Sequence, residues 1–408
     1  MKTERSLGSK KRRLLIVLIA SSGLILGACG FFGEDQKESK ESGRRNSIRS
    51  NSERLAFEQL QAIGYVDGTY DANSDFSGVI LHDAANAHPG LNFYNSRKQS
   101  RAVLMDMEGN ELHSWRGDNE DQWQSAELTA EGDVIVIAKD QYLSRYDKES
   151  NLLWSVEGRF HHDLWIHDGK IFVLARVSRL VDYIHPRSLS YVDVIQIRSL
   201  QGELEREISI LDMIQESAYG FLLPSLNLEK KLDATRYLDV LHTNHVEVFD
   251  GRLADSDPIY AKGNILISMR NINTIAIIDG ETLKIVWIWG PTNLSFQHHP
   301  TLLENGHLLV FDNGTENSRV VEVDPLSREI VWQYAPESGF FSDTRGSNQR
   351  LANGNTLITE SDTGYVFEVT PNGNVVWKFA NPNIDSDQVR EAIWRMTRIS
   401  PDSLSFLD

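Results

Sequence analysis

The sequence predicts an all-β chain, a six-bladed β-propeller with a long insertion and a disordered N-terminal tether. Three observations predict it. A phrase of strand, turn and second strand recurs six times, five of the copies ending in tryptophan. Its spacing is 39 residues between Trp115 and Trp154, and 45 between Trp287, Trp332 and Trp377. A period of this size belongs to blades of four antiparallel strands. Amphipathic helical patterning is scarce across the repeats, which argues against mixed folds.

Residues 1–28 read as a lipoprotein signal peptide. Lys2, Arg5, Lys10, Lys11, Arg12 and Arg13 precede an uncharged apolar run from Leu14 to Ala28, too short for a comfortable membrane span. The run ends in Leu26-Gly27-Ala28-Cys29, which resembles a lipobox, and Cys29 is the only cysteine in the chain. Cys29 is therefore expected to carry the lipid of an exported protein, held on the periplasmic side of a bacterial membrane. No intramolecular disulfide can form from one cysteine. Residues 29–55 are rich in Ser, Lys, Glu, Arg and Asn and read as a flexible tether, because so polar a segment buries too little to offset the entropy of ordering.

Residues 56–408 are assigned to the propeller. The recurring phrases are VLMDMEGNELHSW, LSRYDKESNLLW, VIQIRSLQGELEREI, IAIIDGETLKIVW, VVEVDPLSREIVW and VFEVTPNGNVVW; the third ends in Ile208 where the others have tryptophan. Between them lie turn-plus-strand segments such as TAEGDVIVIA, IHDGKIFVLA, YAKGNILISM, LENGHLLVFD and LANGNTLITE. The stretch from Gln215 to Thr235 breaks the period and reads as an inter-strand insertion with some helix. Insertions of this kind sit on one face of a propeller.

The formal charge is -17, and removal of residues 1–28, with six basic and one acidic residue, takes it to -22. Such a polyanion is a poor partner for nucleic acid or for an anionic membrane surface.

Five of the twelve histidines fall in three clusters: His161-His162-Asp163, His242-x-Asn244 and Gln297-His298-His299. A solvated or packed histidine is the ordinary reading of any one of them. Each cluster, however, stands where an innermost strand begins, and those points converge on the central channel of a propeller. Arg270 has the same kind of address after NILISM. A guanidinium among imidazoles favours an oxyanion, since it offers two parallel donors while the imidazoles give or take single protons. Metal binding by three histidines is the weaker alternative, because Arg270 raises the cost of a second cation and Asp163 is the only close acidic residue in the clusters.

The run FQHHPTLLENGHLLVFDNGTENSRVVEVDPLSREIVWQY is similar to the segment of bacterial aryl sulfotransferases that carries the catalytic histidine before a Phe-Asp-Asn-Gly turn. FHHDLWIHDGKIFVLA, YLDVLHTNHVEV and NILISMRNINTIAIID resemble three further segments of that family, in the same order, and the likeness covers roughly residues 78–400. The resemblance implies His298 as the sulfuryl-accepting nucleophile, with His162, His242 and Arg270 as catalytic partners. It places Asn244, His161 and His299 at the substrate; His299 stands where the family often has Asp. It further implies a phenolic sulfate donor, a phenol acceptor, and no cofactor or metal. A non-catalytic envelope scaffold is the rival reading, and a cofactor-dependent propeller oxidoreductase a second one.

Overall fold

The computed structural model describes residues 77–117, 122–225, 237–337 and 339–407. The expected signal peptide and tether, and residues 226–236 of the insertion, lie outside the described residues.

The chain enters through β1 (Gly78–His82) and continues into β2 (Leu91–Ser96), β3 (Arg101–Met105) and β4 (Glu111–Arg116). A second sheet follows in simple order, β5 (Trp123–Leu128), β6 (Val134–Ala138), β7 (Tyr142–Tyr146) and β8 (Leu152–Glu157). The third holds β9 (Phe160–His167), β10 (Lys170–Val181), β11 (His185–Ser199) and β12 (Leu204–Ser209), followed by a short helix α1 (Ile210–Glu216); β13 (Tyr237–Asp239) adds to β11 in parallel. The fourth comprises β14 (Thr243–Val248), β15 (Ile265–Met269), β16 (Thr274–Ile278) and β17 (Ile285–Trp289). The fifth comprises β18 (His298–Leu302), β19 (Leu308–Asp312), β20 (Arg319–Val323) and β21 (Ile330–Tyr334). The sixth runs β22 (Ser347–Arg350), β23 (Thr356–Glu360), β24 (Tyr365–Val369) and β25 (Val375–Ala380). It takes β1 as a fifth, outer strand, while β26 (Ile393–Ile399) returns to become the inner strand of the first sheet. The six-bladed propeller is thus closed at both chain ends.

The core lies between the blades. Strand side chains alternate in direction, so each blade presents one apolar face to each neighbour. Leu266, Ile275 and Ile277 of the fourth blade pack with Leu308, Val310 and Val321 of the fifth. Ile265, Ile267 and Ile278, one step away in the same strands, pack against the third blade. The recurring tryptophans clasp neighbouring blades. Trp115 Nε1 donates to the Gly132 carbonyl at 2.8 Å, Trp154 to Leu200 at 2.9 Å, Trp287 to Pro325 at 2.8 Å, Trp332 to Pro371 at 3.1 Å and Trp377 to Met107 at 2.9 Å. Each acceptor lies in a turn of the next blade. A buried indole needs a partner for its N–H, and these turns supply it. The Ile208 side chain has no N–H to donate and makes only apolar contacts.

The break in the period is larger than the sequence indicated. Besides α1, whose Ser209 cap accepts the Asp212 N–H, the hairpin of β10 and β11 runs well beyond its blade. Ala175 of β10 still pairs with Phe160 at the start of β9, yet β10 continues to Val181, paired only with β11.

Candidate active site

All three histidine clusters lie at the same end of the ring, where the inner strands begin. A register irregularity marks each start: between Val173 and Ala175 opposite β9, between Thr243 and His245 in β14, and between His298 and Thr301 in β18. His162, His242 and His299 have positive φ, at 59°, 52° and 47°. A left-handed non-glycine residue costs roughly 1–2 kcal/mol, and bulges of this kind re-aim side chains. Here they accompany side chains at the mouth of the axis, where strain of this kind tends to collect. The cavity is lined by His162, His298, Asn244, Arg345, Trp394 and Arg395, together with Asp163, His299, Asn95, Gln124 and small residues. Gly346 allows close approach: a Cβ there would meet the Phe311 ring at 2.3 Å.

His298 is 7% exposed. Its Nδ1 lies 2.7 Å from Asn313 Oδ1. The Asn313 amide nitrogen donates to the carbonyls of Ser342 and Arg345, both at 2.8 Å, so its oxygen must face the imidazole. The proton of His298 is therefore on Nδ1, and Nε2 carries the lone pair. Burial, then the Arg270 charge, hold the His298 pKa well below its ordinary value, so the ring is neutral near pH 7.

His242 donates from Nδ1 to Asp239 Oδ2 at 2.5 Å, leaving its own Nε2 free to accept. Its ring packs edge-on against His162, centroids 4.8 Å apart. Burial lowers the His242 pKa, partly offset by Asp239. His162 is held well below the ordinary range by burial and by the neighbouring imidazoles. His161 does not line the cavity. It stands behind His162, Nδ1 to Nδ1 at 2.8 Å, with Nε2 at 3.6 Å from buried Asp193. Burial and the adjacent Asp239 carboxylate push Asp193 up to about 7. Arg270 is buried and lies over the Phe296 ring, 4.6 Å from its centroid, and its charge reaches both His242 and His298. Asn244 Nδ2 donates to the Gln297 carbonyl at 2.9 Å, which leaves its Oδ1 as a buried acceptor without a partner among the described residues.

A second polar layer joins Asp163 and His299 of the sequence clusters to His245 and Arg395. His245, fully buried, pairs with Asp163 at 2.7 Å. Burial opposes its charge, but Asp163 and Glu247 overcome that and lift its pKa to about 9. Arg395 reaches Asp163 at 3.1 Å and also Glu127, while His299 sits 3.2 Å from Arg395 and edge-on to His245. Burial lowers Arg395 to about 10. Arg345 pairs with Asp362 and covers the Trp394 ring at 4.3 Å. The structure thus brings His162, His298, His299 and Asn244 to one cavity, while His242 and Arg270 do not line it: His242 packs on the His162 ring, and Arg270 acts on His298 through its charge. Asn313, His245, Arg395, Arg345 and Trp394 were not singled out by sequence. Three stretches held a signal: the Phe-Asp-Asn-Gly turn with Asn313, the YLDVLHTNHVEV segment with His245, and VREAIWRMTRIS with Trp394 and Arg395.

Fold and cavity together define a six-bladed propeller with a neutral, tautomer-fixed imidazole at a histidine-lined axial site. Within that class the chain belongs to the arylsulfotransferase family: the family model described as Arylsulfotransferase (ASST) matches residues 125–382. Membership supports aryl sulfotransfer as the general activity, with an aryl sulfate as donor and a phenol as acceptor. No curated protein matches the sequence. Among solved structures, the chain is similar in fold to a protein of unknown function from Bacteroides caccae, at 12% identity and a TM-score of 0.52, covering 76% of this chain and 99% of that one. A functionally unknown protein from Desulfotomaculum acetoxidans also matches, at 12% identity and a TM-score of 0.48, covering 77% and 100%. So does a virginiamycin B lyase from Staphylococcus aureus, at 12% identity and a TM-score of 0.44, covering 81% and 98%.

Proposed function

We propose that the chain moves a sulfuryl group from a phenolic sulfate ester to a phenol through a covalent sulfohistidine on His298. The observation that carries this reading is the Asn313 amide, which fixes the His298 proton on Nδ1 and leaves Nε2 as the nucleophile.

In the first half-reaction Nε2 attacks sulfur, the N–S bond forms and the S–O bond to the aryl group breaks. The aryloxide leaves as an anion and takes its proton from water. Arg270 balances charge on the sulfuryl oxygens, and its location within electrostatic reach of His298 supports that role. In the second half-reaction the acceptor oxygen attacks sulfur and the N–S bond breaks, returning neutral His298. The acceptor's proton goes to an imidazole and then to water. His242 suits this step because Asp239 holds its Nδ1–H and leaves Nε2 basic. The low pKa of His298 serves both halves: the ring is unprotonated when it attacks and is a good leaving group when it departs. His162, oriented by His161, lies beside His242 and supports a shared role in proton transfer.

Purified protein mixed with 4-nitrophenyl sulfate and phenol should release nitrophenolate and form phenyl sulfate in equal amounts. Without phenol, mass spectrometry should find a sulfo adduct on the peptide bearing His298. His298→Ala should abolish both signals and Arg270→Ala should weaken transfer strongly. Persistence of transfer in His298→Ala refutes the nucleophile; absence of transfer by the native chain across a panel of phenolic sulfates favours the scaffold alternative.

A further inference from the structure

Behind the cavity, the two imidazoles of the first histidine cluster form a column that ends on a buried carboxylate. His162 lines the cavity, and His161 stands behind it, Nδ1 facing Nδ1 at 2.8 Å. His161 Nε2 faces Asp193 Oδ1 at 3.6 Å and makes no hydrogen bond among the described residues. His161 is 1% exposed and Asp193 3%, so the far end of the column is closed to bulk water. Thr243, between His242 and Asn244, donates its N–H to Asp193 Oδ2 at 2.6 Å, which leaves Oδ1 to His161.

A contact between two Nδ1 atoms needs one N–H and one lone pair. Burial, then neighbouring basic groups, hold both rings well below their ordinary pKa, so both are neutral near pH 7. Two settings of the column remain. With Asp193 ionised, His161 turns Nε2–H to the carboxylate, its Nδ1 accepts from His162 Nδ1–H, and His162 Nε2 keeps a lone pair. With Asp193 protonated, its O–H faces His161 Nε2, His161 donates from Nδ1, and His162 carries its hydrogen on Nε2. His242 has no such freedom, because Asp239 takes its Nδ1–H directly.

We infer that Asp193, acting through His161, sets which nitrogen of His162 carries the hydrogen, and that this column takes up the acceptor's proton. The second half of this inference rests on the sulfotransfer reading. In that step the phenolic O–H breaks as its proton bonds to His162 Nε2. The Nδ1 hydrogen of His162 passes to His161 Nδ1, and the Nε2 hydrogen of His161 passes to Asp193 Oδ1. Neither imidazole is left charged, and the proton returns to water along the same path once the product has gone. The last transfer needs ring and carboxylate to close from 3.6 Å to about 2.8 Å. The groups around Asp193 suit it to hold and release a proton near neutrality. Burial and the Asp239 carboxylate raise its pKa to about 7, against the Thr243 hydrogen bonds and the Arg176 guanidinium, which is itself paired with Asp140. Lys139 and His242 act on the two imidazoles.

The test begins with nitrogen NMR of the histidine-labelled chain, the His162 ring being assigned by its loss in His162→Asn. Expected is hydrogen on Nδ1 of His162 in mildly alkaline buffer, moving to Nε2 as pH falls through about 7. In Asp193→Asn the amide oxygen keeps the Thr243 bond and its NH2 faces His161, so His162 should hold its hydrogen on Nε2 throughout. A His162 tautomer that changes neither with pH nor in Asp193→Asn would overturn the inference. Kinetics supply the second arm, in mildly alkaline buffer where 4-cyanophenol is ionised and phenol is not. Asp193→Asn and His161→Phe should form the His298 adduct at close to the native rate. They should pass it to phenol about 10- to 100-fold more slowly and to 4-cyanophenol within twofold of native. Equal slowing with both phenols would reduce Asp193 to a structural support and overturn the relay, and so would a native rate with phenol. A native chain that forms no adduct refutes sulfotransfer instead, and the His162 tautomer still decides the role of Asp193.

Discussion

Replacing Asn313 by leucine tests the tautomer argument with the same heavy-atom branching. Three hydrogen bonds are lost: the acceptor for His298 Nδ1–H and the two donors to the Ser342 and Arg345 carbonyls. A buried N–H left without an acceptor costs roughly 1–3 kcal/mol. That cost falls on the reactive tautomer of His298 and should reduce its population, and with it kcat, about 5- to 150-fold. The Asn313 side chain does not line the cavity, so KM for the donor should change little. The two orphaned carbonyls should together cost about 2 kcal/mol of stability, seen as a fall of several degrees in Tm. The assay is nitrophenolate release under varied donor and acceptor, with a thermal scan in parallel. A kcat within twofold of the native enzyme refutes the argument, whatever the Tm. A raised KM with unchanged kcat assigns Asn313 to binding instead.

Two further outcomes follow from the packing. Because His245 has its pKa lifted to about 9 from an unfolded value of 6.5, its contribution is fully present below pH 6.5 and is lost as pH rises through 9. The loss is on the order of 3 kcal/mol, so Tm should decline between pH 7 and 9.5, and His245→Gln should flatten that decline; parallel curves for the two proteins would contradict the pairing with Asp163. Trp377→Phe removes the donor to the Met107 carbonyl across the seam between the sixth and first blades and part of a fully buried ring. It should cost about 2–3 kcal/mol in chemical denaturation, and more than Trp332→Phe, whose clasp is more exposed; equal losses would argue that the clasps do not depend on burial.

The blade count was legible because every blade solves the same packing problem with the same residues. Tryptophan recurs at the outer strand since its N–H must reach the next blade's turn, and the third blade reads weakly because the Ile208 side chain offers only apolar contact there. His162, His242 and His298 were legible from their position at strand starts. What escaped the sequence depends on which blade stands opposite. Arg395 becomes part of the cavity only because β26 closes the first blade, and Asp163 meets His245 across two blades. The tall hairpin escaped because its pairing continues smoothly from an ordinary blade strand, with no glycine or proline to mark where the blade ends.

The closing strand carries a temporal consequence. Trp394 and Arg395 belong to β26, among the last residues of the chain, yet they form a wall of the cavity and hold Asp163 from within. A nascent or partly threaded chain can build five blades and most of the histidine cluster while the ring still gapes at its seam. The ring and the cavity wall are therefore completed by the same strand, and a chain cut before Trp394 should lose the pairing of β26 with β2, the packing of Met396 and Leu404, and two cavity residues together.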